Sequence, residues 1–220
     1  SLSESSLKIK DLVSQTKKNN MPAIAITDNN NMFGAFEFAQ ECINNNLQPI
    51  IGSSINFLEI NDKNNFSQLT FLVKNNIGYQ NLLKLSSISH VNNNSNIVGV
   101  DFEQVKEYSE GLYCFIGGEK NPLLQINSKN KKQIYKMIEN FKKIFEDNFI
   151  FEIQRIKDQV IDNFETEFII LAKKYDIPLI GTNNIKFGNK EDFSAHDALL
   201  CIAQKSTINN SQRINSNENI

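Results

Sequence analysis

The chain has 220 residues, of which 40% are hydrophobic and 22% charged, and its formal net charge is −2. These values are ordinary for a globular protein and leave enough apolar residues for one sizeable α/β core or two small ones. A protein that held DNA over its whole surface would be clearly basic, so the charge balance excludes a main DNA-holding role while allowing a local basic patch.

In chain order, apolar periodicity predicts a helix at 6–19, a strand at 23–26, a helix at 35–44, a strand at 49–51 compatible with extension to 60, a strand at 69–73 and a helix at 79–89. The second half continues with a strand at 112–116, a helix at 131–145, a strand at 149–153, a helix at 164–175, a strand at 179–182 and a helix at 191–203. The 23–26 run is predicted to be buried, and 92–107 to be a loop with a short helix. This alternation predicts a parallel sheet or a barrel, without a linker that would divide the chain.

The three cysteines, Cys42, Cys114 and Cys201, form no Cys-x-x-Cys pair. We therefore expect buried or half-buried thiols rather than disulfides or a structural zinc site. Neither a signal-peptide pattern nor an apolar run of membrane-spanning length is present, so we expect a cytoplasmic protein without a membrane partner. The missing initiator Met and the polar stretch at 209–220 predict a fragment of a longer protein.

In α/β barrels, functional residues follow the strands at their carboxyl ends. Here those positions hold mostly Asn, Ser and Gly, with Asp28 and His90 as possible metal ligands. Lys186 adds a positive charge where a cation would lie, and two histidines in the whole chain cannot form a site of several imidazoles. Phosphate-binding glycine loops and a nucleophile elbow are also missing from the sequence. These residues predict no working hydrolytic centre.

Each candidate residue also has a plain structural role. Asp28 is suited to capping the turn that follows it, and His90 at a helix end is favourable because of the helix dipole. His196 is expected to pack or to form a hydrogen bond. The acidic pairs at 146–147 and 191–192 are interpreted as solvated helix ends.

Four segments carry a family resemblance: 21–38 (MPAIAITDNNNMFGAFEF), 47–52 (LQPIIG), 75–85 (NNIGYQNLLKL) and 181–198 (GTNNIKFGNKEDFSAHDA). In this order, over essentially the whole chain, they resemble the polymerase-and-histidinol-phosphatase (PHP) domain of bacterial DNA polymerase III alpha subunits. The resemblance implies a single PHP domain over 1–220, truncated at both ends. It also implies a distorted seven-stranded (β/α) barrel whose first strand precedes Ser1.

The resemblance also locates the metal site of the family, at positions occupied here by Glu4, Asp28, Asn29, Ser54, His90, Gly118, Asn184 and Lys186. Asn29 stands where active members have a histidine, Ser54 where they have a glutamate, and Gly118 where they have a cysteine. The aspartate and histidine of a later motif are replaced by Asn184 and Lys186. The resemblance therefore implies the branch of the family that has lost its metals, with vestigial positions and no catalytic or cofactor-binding residue.

In active members, the domain hydrolyses phosphoesters and can act as a 3′–5′ exonuclease with Mn²⁺ or Zn²⁺. For the branch without metals, the resemblance implies a structural platform that docks the proofreading exonuclease (epsilon) subunit. The resemblance implies an N-terminal part of a DNA-directed DNA polymerase, working with the rest of the alpha subunit. Nucleotidyl transfer would use Mg²⁺ in a palm outside these residues, and DNA would bind through the full-length protein.

Two alternatives stay open. The first is a metal-dependent PHP phosphoesterase or 3′–5′ exonuclease with further ligands upstream of residue 1, where active members carry His-x-His. The second is a stand-alone PHP enzyme unrelated to replication, against which the segments 75–85 and 189–198 weigh.

Overall fold

The computed structural model describes residues 5–58, 66–91, 98–125, 130–155 and 159–210. The chain forms two compact units, each assembled from separate segments. The helical unit contains Ser1–Ile24, Phe36–Pro49 and Asn183–Ile220, and the sheet unit contains Ala25–Ala35 and Ile50–Thr182. A single domain over 1–220 stays a prediction.

Within the described residues, six strands form one curled half-barrel sheet in the order β1-β2-β3-β4-β5-β6. They are β1 (Ala23–Asn29), β2 (Gln48–Leu58), β3 (Phe66–Val73), β4 (Leu112–Gly117), β5 (Phe149–Ile153) and β6 (Leu179–Gly181). All six predicted strands are therefore confirmed, and the α/β half-barrel confirms the predicted fold class.

Of the two predicted arrangements, a parallel sheet or a barrel, the fully parallel sheet is wrong at β3. Strand β3 is antiparallel to β2, with Ser54 opposite Thr70, and antiparallel to β4, with Thr70 opposite Phe115. Strands β4, β5 and β6 pair in parallel. The short distance along the chain between Leu58 and Phe66 explains the first reversal, because a parallel crossover needs about a dozen residues.

Strand β1 also differs from its prediction as a buried strand. Its residues are half-buried and Ala25 is exposed. The strand lies at one end of the sheet order, where it has a neighbouring strand on one side only, and β6 at the other end is exposed throughout. Burial is instead greatest in the centre, where β4 is almost fully covered.

Eight α-helices occur in the described part of the chain: α1 (Ile9–Lys18), α2 (Ala35–Asn44), α3 (Asn76–Val91), α4 (Phe102–Glu107), α5 (Pro122–Gln125), α6 (Lys131–Phe145), α7 (Gln159–Tyr175) and α8 (Phe193–Ala203). The short helix expected within 92–107 is α4, which starts at a capping box between Asp101 and Gln104. Residues 92–97 lie outside the described ranges. A 3₁₀ turn, Lys190–Asp192, takes the predicted first residues of the last helix, so α8 starts at Phe193. None of the described helices is long and apolar enough to cross a membrane.

Phenylalanine rings hold the core of the sheet unit together. The buried stripe of α6 consists of Ile134, Ile138, Phe141 and Phe145. The Phe141 ring contacts four others, with centroid separations of 5.6 Å to Phe57 and Phe102, 5.8 Å to Phe149 and 6.5 Å to Phe145. It thereby joins two helices to two strands on one side of the sheet, the helix face.

The helical unit has a smaller core around His196, which is 3% exposed. The His196 ring lies 5.3 Å from the Phe187 ring, and Phe187 also contacts Phe193 at 6.0 Å. This confirms the expected packing role of His196. All three cysteines are buried and free, as the sequence predicted.

Two glycines allow α3 to approach the turn before β4 at van der Waals contact of the backbones. A Cβ added to Gly78 would overlap the carbonyl group of Gly111. Gly111 itself has φ +75°, in the left-handed region that favours glycine. Neither position accommodates a side chain without moving the backbone.

We predict that Gly78→Ala lowers the free energy of unfolding by about 1–3 kcal/mol, because the added methyl group overpacks this contact. Urea denaturation measures the change. Gly181→Ala is the matched control, since no atom lies within 4 Å of the added Cβ. Equal stability of the two variants would contradict the close backbone contact.

We predict that Phe141→Ala costs about 3–5 kcal/mol of unfolding free energy, because it removes a fully buried ring and leaves a cavity among four others. The same denaturation experiment applies. Phe36→Ala is the control, because Phe36 is 72% exposed, and we expect a change within about 0.5 kcal/mol.

Candidate functional site

The loop after β1 is fastened to β2 through Asn30. This residue has φ +55°, a conformation that asparagine tolerates better than most residues. Its backbone N–H donates to the Ser54 carbonyl at 2.8 Å, and its side-chain Oδ1 accepts from the Asn56 N–H at 2.8 Å. The turn continues with Asn31, whose Oδ1 accepts from the Phe33 N–H at 3.1 Å. The loop is thus positioned by neutral amide groups.

His90, in the last turn of α3, contacts the same loop. Its Nε2 lies 2.8 Å from the backbone carbonyl oxygen of Asn30. A carbonyl oxygen only accepts hydrogen bonds, so Nε2 carries the proton in this contact. A metal ligand must present a lone pair, and the imidazole nitrogen that faces the loop therefore acts as a donor rather than as a ligand.

Polar side chains alternate with core residues along β2 and β3, on the side of the sheet opposite the helix face, which we call the inner face. The Ser54 and Thr70 hydroxyls lie 2.9 Å apart across the two strands. One step further along, Gln68 Nε2 donates to Asn56 Oδ1 at 3.1 Å, and Asn56 Nδ2 donates to the Val98 carbonyl at 2.8 Å. These hydroxyls and amides satisfy one another.

Glu152 places a carboxylate on the inner face from β5. It accepts hydrogen bonds from Thr182 Oγ1 and, at 3.0 Å, from Gln154 Nε2. On the neighbouring strand it faces Gly117, where an added Cβ would overlap the Glu152 backbone carbonyl. Gly118 follows with φ +69°, and a Cβ there would lie 2.9 Å from Gln154 Oε1. A cysteine at 118 would therefore be strained in this backbone conformation.

The structure brings together some of the predicted site residues. Asp28 and Asn29 end β1, and the Asp28 carbonyl accepts from Ser53 Oγ at 2.8 Å; these residues, Ser54, His90 and Gly118 all belong to the sheet unit. Asn184 and Lys186 belong to the helical unit, where the Lys186 carbonyl accepts from the Ser6 N–H at 3.0 Å and from Ser5 Oγ at 2.9 Å. Glu4 lies outside the described residues.

Three inner-face residues were not predicted: Asn56, Gln68 and Glu152. The rule for α/β barrels points to positions after the strands, whereas these side chains lie within them. The signal was present in the alternation of β2, where Ser54 and Asn56 interrupt the buried Ile55 and Phe57.

The described donors do not fit a hydrolytic metal centre. Such a centre needs several imidazole or carboxylate ligands around the ion. In the part of the chain that the structure describes, no group of three or more His, Cys, Asp or Glu is placed to hold a metal. The groups around the inner face are hydroxyls, amides and the hydrogen-bonded carboxylate of Glu152, which favour mutual hydrogen bonding over ion coordination.

Known relatives cover nearly the whole chain. DNA polymerase III subunit alpha of Rickettsia conorii is 37% identical over 91% of the chain, and that of Borreliella burgdorferi is 36% identical over 99%. The matched region is 17% and 20% of those relatives, so the chain spans about a fifth of their length or less. The corresponding subunit of Campylobacter jejuni is 34% identical over 97% of the chain.

Solved structures share the fold at low sequence identity. A structure from Bifidobacterium adolescentis described as a metal-dependent phosphoesterase has a TM-score of 0.58 at 10% identity, covering 83% of this chain and 84% of its own. An amidohydrolase from Chromobacterium violaceum, with bound sulfate and no metal, has a TM-score of 0.57 at 8% identity and covers 85% of each chain. The family model described as "PHP domain" matches residues 1–156, and the chain belongs to the PHP domain family.

Proposed function

We propose that the chain is the PHP domain of a replicative DNA polymerase III alpha subunit and serves there as a structural platform without a metal centre. The observation that carries this proposal is the match to named alpha subunits over 91–99% of the chain at 36–37% identity. The inner face supports the absence of a metal centre in this proposal, because its hydroxyl, amide and Glu152 carboxylate groups form hydrogen bonds with one another.

If the chain is a structural platform, nucleotidyl transfer takes place in other parts of the polymerase. Nucleotidyl transfer by two Mg²⁺ ions needs a cluster of carboxylates, which would lie in the palm beyond this chain. The rest of the alpha subunit would then be the permanent partner of this domain, and DNA would be held chiefly by the full-length, cytoplasmic protein.

We further propose that the proofreading exonuclease (epsilon) subunit docks at the rim formed by the loop after β1 and the end of α3. Phe33 in this loop is 86% exposed, and Val91 next to His90 is 78% exposed. The contact between His90 and Asn30 joins the two segments. Exposed large apolar side chains of this kind are typical anchors of protein interfaces.

We predict that the full-length protein, purified without chelators and incubated with Mn²⁺ or Zn²⁺, retains well under one equivalent of metal in this domain and does not hydrolyse phosphomonoesters. Elemental analysis and a phosphatase assay measure both quantities. His90→Gln is the informative variant, because metal held at this site would be lost from it.

Stoichiometric metal that depends on His90, together with hydrolysis, would support the alternative of a PHP phosphoesterase or 3′–5′ exonuclease. The Bifidobacterium structure, described as a metal-dependent phosphoesterase, shares the fold and keeps this alternative worth testing.

We predict that Phe33→Ser with Val91→Ser weakens binding of the exonuclease subunit by about tenfold or more, since loss of an interface anchor costs upward of about 1 kcal/mol. Calorimetric titration of the full-length alpha subunit measures the affinity. Ile170→Ser is the control, because Ile170 on α7 is 60% exposed but distant in sequence from the rim. An unchanged affinity of the double variant would exclude this docking surface, and no binding by the unmodified protein would exclude the docking role.

A further inference from the structure

Helix α6 concentrates positive charge in a chain that is slightly acidic as a whole. Its 15 residues include five lysines and one glutamate, whereas the entire chain has a formal net charge of −2. The remaining residues are therefore distinctly acidic in sum, and the positive charge of α6 is a local property of this helix.

Three of the five lysines share one side of α6. Its buried stripe faces the sheet, and Lys132, Lys136 and Lys143 are exposed on the opposite side. Their spacing of four and seven residues places them in one row along the helix, about 16 Å long at 1.5 Å per residue. None of the ion pairs formed among the described residues involves these three side chains.

Helix α7 lies beside α6 and extends the row. Lys131 of α6 pairs with Glu167 of α7 at 3.8 Å, and near the other end Lys142 Nζ donates to the carbonyl groups of Tyr175 and Asp176. These two contacts show that the helices run parallel. Lys174, in the last turn of α7, lies over the Tyr135 ring of α6 and so adjoins the row, and Lys173 is the exposed residue before it.

We call the exposed lysines of both helices the lysine surface, formed by Lys132, Lys136, Lys143, Lys173 and Lys174. Two acidic residues lie among them: Glu139, which accepts from the Tyr175 hydroxyl at 3.4 Å, and Glu167, which is paired with Lys131. Glu146 and Asp147 follow beyond the end of α6. With Lys131 set against Glu167, the five lysines outnumber the three carboxylates of Glu139, Glu146 and Asp147, so the surface is positive in sum.

The aromatic residues of this region are already engaged. Lys174 Nζ lies 3.6 Å from the centre of the Tyr135 ring and 5.1 Å from that of Tyr175. The two tyrosine rings are 6.0 Å apart. A ring face covered by an ammonium group is not open for base stacking, so contacts of the lysine surface with a nucleic acid would be mainly ionic.

We propose that the lysine surface binds the sugar-phosphate backbone of DNA, independently of sequence. A strand of duplex DNA carries one negative charge per about 3.4 Å of axis, so a row of about 16 Å faces several phosphates. Lysine side chains are flexible point charges suited to such contacts, which position a protein on DNA rather than specify a sequence. This role goes beyond the platform function and uses the solvent-exposed side of α6 and α7.

The test compares DNA binding by the full-length protein and by a variant with Lys132→Gln, Lys136→Gln and Lys143→Gln. Each lost phosphate contact makes the slope of log K against log salt concentration less negative by about 0.9. For the triple variant we expect a slope less negative by about 2–3, and an affinity at low salt about tenfold weaker or more. Fluorescence anisotropy with a labelled primer–template over a series of salt concentrations measures both.

The matched control removes the same charge from α1 and the residue before it, with Lys8→Gln, Lys10→Gln and Lys18→Gln, all exposed in the helical unit. Its slope should match that of the unmodified protein, and a triple Lys→Arg variant of α6 should retain the slope because it keeps the charge. Equal losses in both glutamine triples, or no loss in the α6 triple, would overturn the proposal. Unchanged DNA binding with weaker binding of an acidic protein partner would assign the surface to that partner instead.

Discussion

The reversal of β3 determines where the polar groups of the sheet unit meet. Because β3 runs antiparallel to both neighbours, α3 starts at the edge opposite the loop after β1 and runs back towards that loop. Its last turn therefore delivers His90 to the carbonyl of Asn30. If β3 were parallel to β2, α3 would end at the opposite end of the strands. The loop after β1 would then lose its contact with α3.

Apolar periodicity in the sequence predicted the helices and strands. It did not predict how strands far apart in the chain pair with one another. The 3.6-residue periodicity located both ends of α6, because its buried stripe interdigitates with the sheet. An apolar run such as that of β3 is compatible with either a parallel or an antiparallel strand. The spacing between β2 and β3 contained the clue, since a connection this short permits a hairpin but not a parallel crossover.

The candidate site was partly predictable, because some of its residues follow from local position in the sequence and others depend on strand pairing. Residues after strands, such as Asp28 and Asn29, are placed by the general rule for α/β folds. Glu152 could not be assigned to the inner face until the register of β5 against β4 was known, because a shift of one residue moves every side chain to the other face. Glycine at 118, inferred as a lost ligand, proves to be favoured by the backbone conformation itself.

The buried cysteines allow local unfolding of each unit to be measured separately. Burial raises the pKa of the Cys114 thiol well above its ordinary value, and it is the solvent-exposed thiolate that attacks alkylating reagents. Labelling of Cys114 therefore requires the sheet unit to open, whereas labelling of Cys42 or Cys201 requires the helical unit to open. The rates of labelling at the native thiols would give the local opening free energy of each unit separately, without introducing a single probe.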